Sequence, residues 1–92
     1  MANNSNGKPT FTVSTDLIND ATHVDNNDVL EEIVSAARAT LAAGGHVVLN
    51  QEYENAPPDT VAVFRTSADF EKWVTDQNAM RTELGKPTLG NR

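Results

Sequence analysis

Residues 46–66, HVVLNQEYENAPPDTVAVFRT, hold two strands and the loop between them, and their reading decides the fold class. Across residues 46–53, Val47, Leu49, Gln51 and Tyr53 fall on one face, with Val48, Asn50 and Glu52 on the other. That period of two is the mark of a half-buried strand. Residues 54–59 cannot extend it, because Pro57 and Pro58 remove two N–H donors and fix two φ angles. The alternation resumes over residues 60–66, where Val61, Val63 and Arg65 oppose Ala62 and Phe64. Two β-rich runs joined by a short proline-rich loop predict an antiparallel hairpin.

Upstream, Gly44 and Gly45 supply the residue type that ends helices. The helix they end is predicted over residues 28–43. Leu30, Ile33, Val34, Ala37 and Leu41 recur at i, i+3, i+4, i+7 and i+11, one continuous apolar stripe. Asp28 with Glu31 three residues later resembles a capping box, and Asp25 and Asn27 are competing caps. Residues 19–27, NDATHVDNN, read as a loop, because Asn and Asp side chains bond nearby backbone and favour turns. Residues 11–15, FTVST, alternate again and predict the first strand; Leu17 and Ile18 extend it or pin the loop to the core.

Downstream, Thr66 or Ser67 can cap a second helix, with Asp69 and Glu71 in its first turn. Phe70, Trp73, Val74, Gln77, Met80 and Leu84 define its expected apolar stripe, and Gly85 and Pro87 stop it. The expected fold is therefore α+β, a single small domain in β-α-β-β-α order. Both helices would cover one face of a three-stranded, mainly antiparallel, split βαβ-like sheet. The third strand is expected between the first two, which leaves the first and second as edges open to a copy of the chain or a partner strand. Residues 10–84 form the expected domain, with flexible tails at 1–9 (polar, with Gly7 and Pro9) and 85–92 (GKPTLGNR).

Of the 13 acidic residues, Asp16, Asp20, Asp25, Asp28, Glu31 and Glu32 fall in one stretch that no Lys or Arg interrupts. The remaining seven acids balance the seven bases of the chain, so that stretch holds the whole net charge of −6. Phosphate recognition needs clustered Lys and Arg, so direct nucleic-acid binding is not expected. A protein partner with a basic surface is expected instead, met by those six acids. Tyr53, Pro57, Pro58 and Trp73 are secondary contact candidates, although Trp73 also fits the core.

No catalytic, metal or cofactor site is expected. The chain has no cysteine and therefore no disulfide, thiolate site or thiol nucleophile. Its two histidines, His23 and His46, have no histidine partner at helical spacing. The stretch from Asp20 to Glu32 lacks the central glycine and the alternating ligands of a calcium loop. Glu31 and Glu32 are adjacent, so on a helix they diverge by about 100°. The lack of a basic-then-apolar start and of a membrane-length apolar run predicts a soluble, cytoplasmic protein without membrane contact.

The order of elements, with Phe11-Thr12-Val13-Ser14 and Val63-Phe64-Arg65-Thr66-Ser67 in corresponding places, is similar to that of small accessory proteins of bacteriophages. These include one that binds a bacterial nucleoid-structuring protein. The resemblance implies a phage-like inhibitor of a nucleic-acid-binding host protein. Halved ferredoxin-like folds of many functions share the same order, so no family is assigned and no site residue is carried over. Two other functions fit the pattern. One is an assembly subunit or homodimer joined through an open sheet edge. The other is a small cofactor-free ferredoxin-like enzyme using His46 or Tyr53.

Overall fold

The computed structural model describes residues 8–92. Most of the expected N-terminal tail, residues 1–7, lies outside the described residues. The order is β1 (Thr10–Ser14), α1 (Thr15–His23), α2 (Asn27–Ala42), β2 (His46–Gln51), β3 (Asp59–Phe64) and α3 (Ser67–Glu83). The fold is α+β, with three helices on one face of a three-stranded mixed sheet.

Two features correct the expected architecture. The sheet order is β1-β2-β3, so β2 is central, β3 is an edge, and β1 pairs with β2 in parallel. Only the β2–β3 hairpin is antiparallel. The burial of the strands explains the arrangement. Val47 and Leu49 of β2 are both buried, whereas Phe64 is the only buried residue of β3. A strand entered through two prolines and broken by a register shift opposite Leu49 and Asn50 suits an edge rather than a centre.

The second correction is α1, which occupies residues expected to extend a strand and begin a loop. The Ser14 side chain caps it by accepting the Asp16 N–H at 3.0 Å. Ile18 and Ala21 are buried one turn apart, enough to dock a short helix against the sheet. The Asn/Asp content that favours turns is placed on its solvent side, where Asn19 and Asp20 are exposed. Two successive helices give the length needed for a parallel crossover from β1 to β2.

The longer helices follow their patterns with local differences. The predicted stripe of α2 is buried throughout, from Leu30 to Leu41. Its cap is Asn26, which accepts the Val29 N–H, rather than Asp25, Asn27 or Asp28. Helix α3 is capped by Thr66. Its buried residues are Phe70, Val74 and Arg81, whereas Met80 and Leu84 are exposed. Phe70 stacks on Trp73 at 5.6 Å and meets Phe64 edge-on at 5.6 Å, which joins α3 to β3.

Residues 85–92, expected as a tail, pack across α2 and α3. Leu89 is buried in the core. Asn78 accepts the Leu89 N–H at 2.7 Å and donates to its carbonyl at 2.9 Å. Gly90 donates to Glu31 at 2.7 Å and accepts from Arg38 at 2.8 Å. Arg38 also forks onto Glu71 through two bonds of 2.8 and 2.7 Å, so one guanidinium ties α2, α3 and the C-terminal segment together.

The Arg38 guanidinium holds the Glu71 carboxyl below its ordinary value of 4.5. A carboxyl depressed on folding stabilises above the unfolded value, and that contribution disappears as pH falls through the folded value. Both groups are more than a third exposed, which screens the pair. Glu71→Gln is expected to cost about 0.5–1 kcal/mol at neutral pH. The difference from the wild type should shrink as pH drops below the ordinary carboxyl value. Urea unfolding of both proteins across that range measures it, and a difference constant with pH would exclude the ion pair as its source.

Candidate functional site

The structure divides the six acids into two groups. Three are paired within the fold by the C-terminal segment. Asp25 adopts a left-handed conformation at φ 56° and is bonded to Lys86. Lys86 lowers its carboxyl pKa through the hydrogen bond and then through its charge. Asp28 meets Arg92 at 2.8 Å. The Glu31 side chain is only 10% exposed, and it accepts from Gly90.

Asp16, Asp20 and Glu32 are exposed and make no ion pair among the described residues. Asp16 accepts from the Gln51 amide at 3.2 Å, just beyond the end of β1. Asp20 lies one helical turn further along α1, which puts both carboxylates on the same side of that helix.

An open groove of about 390 Å³ runs between β1 and α2, and of these three acids Glu32 lines it. Phe11 and Val13 of β1, Leu17 of α1, and Val29, Glu32 and Ala36 of α2 line it. Leu17 is 46% exposed, whereas Phe11 and Val29 only partly join the core. Glu32 is the carboxylate in an otherwise largely apolar lining. No described strand pairs with the outer edge of β1. The groove therefore combines unpaired backbone, apolar surface and unneutralised negative charge.

The other sequence candidates are not brought to it. Tyr53 is half exposed in the β2–β3 loop and donates to Asp59 at 3.2 Å, and that bond raises its hydroxyl pKa. Pro57 and Pro58 are exposed in the same loop. Trp73 is partly buried against Phe64 and Phe70, which accounts for it as a packing residue. His23 is exposed at the end of α1, and His46 begins the central strand. Among the described residues, no three His, Asp or Glu side chains are placed to hold a metal ion. Likewise, no helix among them is long and apolar enough to cross a membrane.

Sequence reasoning alone does not single out the groove's apolar lining. The signal for it is a surplus of apolar residues. Leu17 precedes Ile18 and Val29 precedes Leu30, and in each pair only the second is needed for the core stripe. No protein-family model matches this chain, and no curated protein or solved structure matches it.

Proposed function

We propose that this chain is a non-enzymatic protein-interaction module that binds a basic partner surface through Asp16, Asp20 and Glu32. The observation that supports this most directly is the division of the acids. Asp25, Asp28 and Glu31 are engaged internally, whereas Asp16, Asp20 and Glu32 have no ion-pair partner among the described residues, and Glu32 also lines an apolar groove. A cationic surface that meets them gains attraction without breaking an ion pair of the fold. Covering such a surface would also deny it to phosphates, so inhibition of a nucleic-acid-binding partner follows from the same charges.

The test compares two triple variants that remove equal charge. One carries Asp16→Asn, Asp20→Asn and Glu32→Gln; the other carries Asp25→Asn, Asp28→Asn and Glu31→Gln. Binding to immobilised oligolysine is measured at low and moderate salt. At about 0.3–0.5 kcal/mol for each exposed pair, the first variant should bind roughly five- to tenfold more weakly, with a shallower salt dependence. The second should bind nearly as the wild type does. Equal losses would mean that net charge alone governs binding and would overturn the assignment.

A further inference from the structure

We infer that the outer edge of β1 is a strand-addition site, which takes an extended partner segment carrying apolar residues and a Lys or Arg on one face. This rests on the proposed interaction reading and specifies how the partner is held.

The backbone defines the free edge. The Pro9 carbonyl accepts the His46 N–H at 3.0 Å, so Pro9 points toward β2. Backbone groups alternate direction along a strand, which turns Phe11 and Val13 toward β2 as well. The N–H and C=O groups of Thr10 and Thr12 therefore point outward, and no described strand meets them. An unprotected edge of this kind is a template for another chain. The opposite edge is less suitable, because the register shift in β3 interrupts its ladder.

Hydrogen bonds alone do not offset the entropy of ordering a partner segment, so a strand-addition site needs pockets beside the edge. The groove provides them. Phe11 and Val13 lie on the helix-covered face, and Leu17, Val29 and Ala36 continue that surface outward. Alternate residues of an added strand would lie against these side chains. Glu32 in the groove's lining selects a positive charge, and the unpaired Asp16 and Asp20 on α1 add to the negative field of the molecule. A Lys or Arg can lay its methylene stem on the apolar lining while its charged end reaches Glu32. A second copy of this chain is the poorer occupant, because each copy carries a net charge of −6.

The probe is the synthetic peptide Lys-Val-Thr-Lys-Thr-Val-Thr-Val-Lys, added to the full ¹⁵N-labelled chain. Binding should slow amide exchange at Thr10 and Thr12 and should weaken as salt rises. The same peptide N-methylated at every second residue should bind about tenfold more weakly. Thr12→Pro removes one outward N–H, spares the β1–β2 ladder, and should cause a loss of similar size. The methylated peptide tests the inference on the wild-type chain even if that variant fails to fold.

Equal binding of methylated and unmethylated peptides would overturn strand addition. Lack of peptide binding would do the same. In either case, retained oligolysine binding that depends on Asp16, Asp20 and Glu32 would leave the broader reading standing. If oligolysine binding is also insensitive to those acids, both fall. Protection of the Thr10 and Thr12 amides without peptide would also overturn the inference. Concentration-dependent protection with dimers in light scattering would assign the edge to a second copy. Concentration-independent protection would assign it to the chain itself.

Discussion

Replacing Gly45 with alanine is expected to destabilise the protein by about 2–4 kcal/mol, well beyond the effect of the same change at Gly44. A Cβ on Gly45 would lie 2.1 Å from the Pro9 carbonyl oxygen and 2.8 Å from the Pro9 ring. The oxygen belongs to backbone and accepts the His46 N–H in the first rung of the β1–β2 ladder. No rotamer change relieves that contact, so the strand start must shift and the hydrogen bond must lengthen. Gly44 has a φ of +83°, but a methyl group there would meet nothing within 4 Å. Gly44→Ala therefore carries only the left-handed penalty, about 1 kcal/mol. Urea unfolding of the two variants separates close approach from backbone conformation. Amide exchange should show Gly45→Ala loosening Phe11 and Val13 first, and equal losses at the two positions would exclude the contact as the cause.

The same pair shows where local reading of this chain stops. Gly44 and Gly45 are legible as a helix end, because one left-handed residue after an apolar stripe is a local signal. That Gly45 must also admit Pro9 depends on a strand distant in sequence. The hairpin, the α2 stripe and the Thr66 cap are legible for the same reason, since each rests on neighbouring residues. Helix α1 is hidden because its Asn and Asp residues, read one by one, favour turns, while its two-residue apolar stripe is brief. Strand order is hidden because it depends on which strand buries most surface. The acids are legible as a charge run. Their division is not, because it is made by Lys86, Gly90 and Arg92 at the far end of the chain. The groove is thus a product of tertiary packing: the C-terminal segment occupies one set of carboxylates and leaves the other without ion pairs among the described residues, Glu32 of that set lying in the groove by the open edge.

Arg81 occupies a core position in α3, and Arg81→Ala should cost about 3 kcal/mol. The residue is 4% exposed. Its Nε donates to the Pro87 carbonyl at 2.7 Å and its Nη2 donates to Asn27 Oδ1 at 2.8 Å. The guanidinium thereby joins the start of α2 to the segment after α3. Truncation removes both bonds and leaves a void where the stem packed. Pro87 is exposed and Asn27 half-buried, so water can replace the lost donors in part; each bond then accounts for about 1 kcal/mol, and the cavity left by the buried stem adds to that. For a domain of this size, the sum should lower the melting temperature by roughly 12–24 °C. Arg81→Met restores much of the volume without the donors and should recover about 1 kcal/mol of the loss. Arg81→Lys keeps the charge but lacks the fork that reaches both acceptors, so it should resemble Arg81→Met rather than the wild type. Thermal unfolding ranks the three variants, and amide exchange at Leu89 and Gly90 locates the damage. If Arg81→Lys retains wild-type stability, positive charge rather than bridging geometry is what this position supplies.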